Sequence, residues 1–176
     1  MAKTLTATIN LTANGTYEND TDLTSLIESF SIGSNDLDAI SHEFTNGTGN
    51  NQVNTLWSDE RTLATLTTDS LDLAGALTDA FGSTLTFTRI KAILIDIDAP
   101  DGTKALRVGP RAVANAFQGP WGGVGAEAYS TVHRTFYQVE PYTGWLVTAG
   151  TADLLIINNN TAGSVTYRIV ILGLAT

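Results

Sequence analysis

The chain has 176 residues, no cysteine, and 18 acidic against 9 basic side chains, which give a net charge of -9. The absence of cysteine excludes disulfide bonds and thiolate metal sites, and an acidic surface repels phosphate, which argues against a nucleic-acid groove. Without an apolar run long enough to span a bilayer or a leader pattern at the amino terminus, we expect a soluble protein made in the cytosol.

The amino-terminal stretch alternates between polar and apolar residues and predicts a β-strand. Residues 1–12 could pair within the domain, or reach a neighbouring copy as an arm or an exchanged strand, and both possibilities stay open. In the second case Leu5 and Ile9 are candidate interface residues. The dipeptide Asn14-Gly15 that follows predicts a tight turn.

The segment Asp22 to Ile32 fits either a short helix capped by Asp22 or an alternating strand, and we favour the strand because its neighbours are strands. Gly33 to Asn54 is rich in asparagine and glycine and predicts a long loop. A loop of that length in a compact domain is usually functional or mobile.

The pattern of the remaining chain predicts short strands separated by turns. A helical turn ended by Gly82 is predicted over Leu77 to Phe81, and a second long loop over Arg111 to Glu127. The last two strands, on either side of the loop 159–163, are predicted to form a hairpin. Strands are predicted at 57–66, 68–73, 85–98, 105–108, 131–139, 145–149, 153–158 and 165–172. This spacing is typical of an all-β, antiparallel β-sandwich, and we expect one domain over 1–176 with at most one or two short helical turns.

Two predicted strands, Leu85 to Asp98 and Val165 to Leu172, are apolar on both faces. In the first, Ile90, Ala92 and Leu94 are expected to share one face. A strand apolar on both faces has to be covered on both. We therefore expect part of the outer face to be hidden by a loop or by another copy of the chain. The candidate interface residues on that face are Ile93, Ile95, Val170 and Leu172.

Few residues indicate a catalytic or metal-binding site. His42 and His133 lie far apart in sequence, no nucleophile motif accompanies them, and we predict no enzyme activity and no cofactor. Asp96, Asp98 and Asp101 precede Gly102 and faintly match a calcium loop. Their spacing is not that of an EF-hand, so acids at a turn and strand end are the favoured interpretation and no metal is predicted.

Trp121 lies in a glycine-rich loop, where an indole could anchor an interface or fold back and cap the sandwich. Trp57 and Trp145 adjoin strand patterns and are predicted to lie in the core.

Two stretches resemble a family of small structural proteins of tailed bacteriophages. The first is Asn46 to Ile95, with Trp57-Ser58-Asp59, Leu71-Asp72-Leu73-Ala74-Gly75 and Leu77-Thr78-Asp79-Ala80-Phe81-Gly82. The second is Gly144 to Gly173, with Gly144-Trp145, Asp153-Leu154-Leu155 and Val170-Ile171-Leu172-Gly173. Together they cover a little under half of the chain.

The resemblance implies a virion protein that decorates or cements the capsid surface, made in the host cytoplasm. It also implies a jelly-roll-like sandwich, often a homotrimer, whose partner is the lattice of the major capsid protein. The family supplies no catalytic residue. A host-recognition or carbohydrate-binding module of a fibre or tail, with Trp121 and Tyr129 as stacking platform, is the alternative hypothesis.

Overall fold

A computed structural model describes residues 4–11, 13–20, 25–32, 40–98, 102–123 and 125–176, with 13–20, 25–32 and 40 described by their backbone alone. These residues form short strands and one 3-10 turn. In chain order the strands are β1 (Ala7–Leu11), β2 (Ala13–Asp20), β3 (Ser25–Ile32), β4 (Ile40–Asn46), β5 (Gln52–Val53), β6 (Thr55–Leu63), β7 (Thr68–Asp72), β8 (Leu77–Thr78), β9 (Thr84–Leu85), β10 (Phe87–Ile97), β11 (Leu106–Val108), β12 (Ser130–Val132), β13 (Thr135–Val139), β14 (Trp145–Leu146), β15 (Leu154–Asn159) and β16 (Val165–Ala175). The 3-10 turn is Gly119–Trp121.

Three sheets form the layered part of the fold. The central sheet has the order β13-β10-β16-β6, with β14 also paired to β10, and the second sheet has the order β12-β11-β15-β7. A smaller cover sheet has the order β1-β4-β5. The strands pair antiparallel except for β4 and β5, which are parallel. The predicted all-β, antiparallel fold is therefore confirmed.

The main core lies between the central and second sheets. Inward residues of β10 and β16 meet those of β11 and β15, because alternate residues of each strand point to the same face. Each large aliphatic side chain buried in this way contributes roughly 1.5–3 kcal/mol. Members of this core include Ile93, Ile95, Ile97, Leu106, Leu155, Ile157, Tyr167, Ile169 and Ile171.

Two β-bulges interrupt the alternation of β10. Its register against β16 shifts between Phe87 and Arg89 and again between Ile90 and Ala92. Each bulge places two residues of β10 opposite one of β16. The residues after the bulge therefore point to the opposite face from the one that regular alternation predicts. Ile90 belongs to the main core, whereas Ala92 contacts the cover sheet. The prediction that Ile90, Ala92 and Leu94 share one face is therefore wrong.

Asn159 turns the chain from the second sheet to the central sheet. It is fully buried, and its Nδ2 donates to the carbonyls of Leu63, Ala64 and Gly163 at 3.2, 3.0 and 2.9 Å. Because of this crossing, β15 pairs with β7 and β11 while β16 pairs with β10 and β6. The predicted hairpin of the last two strands is therefore wrong.

Three further predictions fail in a similar way. Residues 131–139 form two strands, since β12 pairs in the second sheet and β13 in the central sheet. Asn14-Gly15 lies inside β2, opposite Ser31 and Phe30, and not at a turn. Leu77–Thr78 pairs with β9, so a strand replaces the predicted helical turn.

Two predictions near the amino terminus are resolved by strand pairing. Ser25–Ile32 is a strand, which decides between helix and strand for that part of Asp22 to Ile32. The predicted loop 33–54 contains β4 and β5, because both join the cover sheet.

Candidate interaction surfaces

The outer face of the central sheet is covered by the same chain. Ala92 and Leu172 are buried there against Ile9, Phe44 and Val53 of the cover sheet. Leu5, Ala7, Leu94, Tyr137, Val139 and Val170 pack around them and are partly buried. The expectation that this face needs a cover is correct, and the cover is a small sheet built from the amino-terminal strands.

Because the cover belongs to the same chain, six candidate interface residues are buried or packed within the chain. Ile93 and Ile95 are 0% and 1% exposed and lie in the main core, so their assignment to the outer face is wrong. Leu5, Ile9, Val170 and Leu172 do lie at the outer face, but they pack within the chain. The bulge between Ile90 and Ala92 is the reason that Ile93 and Ile95 face the main core, because one extra residue exchanges the two faces for the rest of the strand.

Trp121 caps the main core. Its ring stacks on that of Phe136, with centroids 5.8 Å apart and planes 7° apart, and its Nε1 donates to Ser130 Oγ at 3.1 Å. Gly122 ends the 3-10 turn with a φ of 66°, a conformation that glycine adopts without steric cost. Of the two interpretations for Trp121, the geometry therefore favours the cap over the interface anchor.

The aspartates near the end of β10 do not converge. Asp96 Oδ1 lies 3.6 Å from Arg134 Nε and accepts from Thr135 Oγ1 at 3.3 Å, while Asp98 is exposed. Asp101 lies outside the described residues. Within the described ranges, no group of three histidine or acidic side chains could hold a metal ion. His42 is half-buried on β4, and His133 is exposed where the chain crosses between sheets.

A polar cluster joins the central and second sheets at one side of the core. Arg61 on β6 donates from Nε to Asp69 Oδ2 at 2.5 Å and from Nη1 to Asp59 Oδ2 at 3.0 Å. Tyr167 on β16 donates its hydroxyl to the same Asp69 oxygen. Burial and the Asp69 carboxylate raise the pKa of Tyr167, and the hydrogen bond to Asp69 raises the pKa of Arg61.

Lys91 is a buried cation held by backbone carbonyls. It is 1% exposed, and its Nζ donates to the carbonyls of Gly49 at 3.2 Å, Pro141 at 3.1 Å and Tyr142. Burial lowers the pKa of Lys91. The ammonium thereby joins the turn 47–51 to the loop 140–144. A lone lysine within an apolar strand is a sequence signal for such a buried cation.

A groove of about 630 Å³ lies between the first residues of β6, the β8–β9 hairpin and the end of β16. Its apolar lining is Leu5, Leu56, Ala80, Phe81, Leu85 and Ala175. β6 pairs with β16, and no described strand pairs with its other edge. The strand carries Asp59, Glu60 and Arg61 in succession, and charges in an edge strand disfavour pairing with another strand.

Among the described residues, no helix is long and apolar enough to cross a membrane. Comparisons of the chain with models of protein families, with curated proteins and with solved structures found no match.

Proposed function

We propose that the protein is a structural component of a tailed-bacteriophage virion. In this role it decorates the capsid surface and stabilises the shell through protein–protein contacts, without catalysis. The two stretches that resemble the phage family support the proposal. They contain β6, β14, most of β10 and most of β16 in the central sheet, and the paired strands β7 and β15 in the second sheet. They also contain β5, β8 and β9. The resemblance thus covers neighbouring strands in both layers of the main core.

The observation that carries the proposal is the pairing of β2 with β3. Eight residue pairs, from Ala13 with Ile32 to Asp20 with Ser25, form a two-stranded ladder that joins no other described strand. We call this ladder the arm. A two-stranded ribbon alone is marginally stable in water. Contact with a neighbouring protein would stabilise the arm, and the capsid lattice would provide such a contact.

The stabilising mechanism is thermodynamic linkage. A subunit that binds the assembled shell but not its separated parts shifts the equilibrium towards the shell. At a free concentration of 100 times the Kd, each site gains about 2.7 kcal/mol. A homotrimer at a symmetry axis of the major capsid lattice repeats identical contacts most simply.

The proposal is tested by adding the purified chain to preassembled shells of the major capsid protein of the phage that encodes it. We expect cosedimentation that saturates at a fixed copy number, and a higher temperature of shell disruption measured by light scattering. Absence of cosedimentation at every salt concentration between about 0.05 and 1 M would overturn the proposal.

A matched pair of variants locates the contact. Phe30→Asp places a charge in the arm and is expected to weaken shell binding, because burying an unpaired carboxylate is costly. Leu66→Asp makes the same kind of change at a side chain that is 71% exposed in the β6–β7 turn, and it should leave binding unchanged. Equal effects of the two changes would remove the arm from the contact.

The carbohydrate-binding alternative depends on free aromatic faces at Trp121 and Tyr129. Trp121 stacks on Phe136, and the guanidinium groups of Arg107 and Arg111 lie near the Tyr129 ring. Because these rings already make contacts within the chain, we do not propose a sugar platform.

A further inference from the structure

Charge is distributed very unevenly along this chain. Residues 4–60 contain nine acidic side chains and no lysine or arginine, whereas residues 61–176 contain nine acidic and eight basic side chains. The amino-terminal third therefore carries nearly all of the net charge. A locally cationic surface within residues 61–176 would attract the acidic amino-terminal third of the same molecule or of another copy.

Three bases close together in sequence, Lys104, Arg107 and Arg111, form what we call the basic patch. None of them makes an ion pair with a described carboxylate. The other described bases all have partners. Arg61, Arg134 and Arg168 pair with carboxylates, and Arg89 and Lys91 donate to backbone carbonyls.

Tyr129 brings two members of the patch together. The guanidinium carbons of Arg107 and Arg111 lie 4.9 and 5.8 Å from the centroid of its ring. Two guanidinium groups at one ring repel each other, and an arriving carboxylate would offset that repulsion.

Arg111 has one unsatisfied donor within the described chain. Its Nε is buried and has no hydrogen-bond partner, although a buried donor of this kind is normally satisfied. The backbone at Arg111 and Ala112 is also left-handed, with φ of 47° and 59°. Non-glycine residues adopt this conformation at an energetic cost and often do so at ligand-binding sites.

The arm has the opposite charge. Glu18, Asp20 and Glu28 lie within its paired residues, which include no lysine or arginine. Eight residues in a strand extend over about 26 Å. The arm therefore presents an acidic stretch of that length.

We propose that the acidic arm of one copy docks on the basic patch of a second copy. The inference rests on the part of the proposed function that joins copies into a homotrimer, and not on the contact with the shell. The two surfaces differ, so the contact is heterologous and forms a closed ring when the rotation between copies closes. The contact joins carboxylates of the arm to Arg107, Arg111 and Lys104 by charge-assisted hydrogen bonds.

The test measures self-association of the full chain by sedimentation velocity across protein and salt concentrations. Wild type should associate at about 0.05 M salt and dissociate as salt approaches about 1 M, where charges are screened. Arg107→Glu combined with Arg111→Glu should weaken association at least about tenfold, and Glu18→Lys combined with Asp20→Lys, at two positions on one face of β2, should do the same. A chain that carries both pairs of changes should regain association to within about threefold of wild type.

Arg134→Glu makes the same charge change at an exposed arginine outside the patch and should leave association within about twofold of wild type. If the double reversals unfold the chain, as judged by circular dichroism, the single neutral changes Arg107→Gln and Glu18→Gln replace them. If these residues contact each other, the two changes together should weaken association by less than the sum of their separate effects. A wild-type chain that stays monomeric at low salt, or combined reversals that fail to restore association, would overturn the proposal.

The same variants separate this inference from the proposed function. A chain that adds to shells while remaining a monomer in solution, with shell binding insensitive to the charge reversals, contradicts the arm–patch contact and leaves the virion role standing. A chain that associates as expected but does not bind shells contradicts the virion role alone.

Discussion

Tyr167 reaches across the main core to Asp69, with 2.9 Å between its Oη and the Oδ2 of the carboxylate. The tyrosine belongs to the central sheet and the aspartate to the second sheet. Arg61 approaches the same carboxylate from β6. A tyrosine ring can thus contribute apolar area to the core while its hydroxyl fixes how the two sheets meet at this side.

Tyr167→Phe tests this contact. The change removes one donor and leaves a partly buried carboxylate with Arg61 as its remaining side-chain partner, so the free energy of unfolding should fall by about 1–2 kcal/mol. Urea denaturation measures it. Tyr142→Phe, at a ring that is 59% exposed, is the matched control and should change stability by less than about 0.5 kcal/mol. Similar losses for both changes would contradict the structural role of the Tyr167 hydroxyl.

The raised pKa of Tyr167 predicts a loss of stability at high pH. The unfolded chain releases the tyrosine proton near its ordinary pKa of about 10, whereas the folded chain retains it. The stabilisation is therefore complete below about pH 10 and declines above it. Urea titrations between about pH 8 and 11 should show a steeper decline for wild type than for Tyr167→Phe, and parallel curves would contradict the prediction.

Asn159→Asp should be strongly destabilising. The substitution keeps the size of the side chain but replaces the donating amide by an oxygen that faces the carbonyls of Leu63, Ala64 and Gly163. Burying a carboxylate there should cost about 3 kcal/mol or more. Asn160→Asp changes the neighbouring exposed residue and should have little effect. Thermal unfolding of the two variants, compared at one pH, checks the prediction, which fails if their losses are equal.

Gly173→Ala should disrupt the bulged pairing of β10 with β16. A Cβ at this position would lie 2.3 Å from the carbonyl oxygen of Arg89 and 2.9 Å from Cδ1 of Phe87. Since the closest atom belongs to the backbone, strands must move apart, and we expect a loss of about 1–3 kcal/mol. Gly125→Ala, where a Cβ meets nothing within 4 Å, is the control. A Gly173→Ala chain as stable as the control in urea would show that the bulge tolerates a side chain.

Lys91→Met should loosen two loops together. It leaves the carbonyls of Gly49, Pro141 and Tyr142 without their shared donor, which should cost about 1–3 kcal/mol. The amide of Asn51, which donates to Pro141 at 2.8 Å, should then exchange its hydrogen faster. Arg168→Met, at an exposed strand position, provides the comparison and should leave the Asn51 amide protected. Unchanged exchange in Lys91→Met would contradict the linking role of the ammonium.

The local pattern of the sequence was sufficient for strand identity in most of the chain. Alternation is a property of consecutive residues, so β6, β7, β10 and β16 could be recognised before any partner was known. The need for a cover on both faces of β10 followed from the same pattern. The failures at Asn14-Gly15 and at Leu77 to Phe81 occurred where pairing with a distant strand overrode a local turn or helix preference.

The sequence by itself determined an all-β, antiparallel chain with two strands that must be buried on both sides. Hydrophobic alternation depends only on neighbouring residues, so it can be recognised without the fold. Only the tertiary structure decided which face each residue occupies, which sheet each strand joins, and that the cover is the amino-terminal sheet. These features depend on contacts between residues far apart in sequence. The bulges of β10 require Gly173 on the partner strand, and the crossing at Asn159 requires the carbonyls of Leu63 and Ala64.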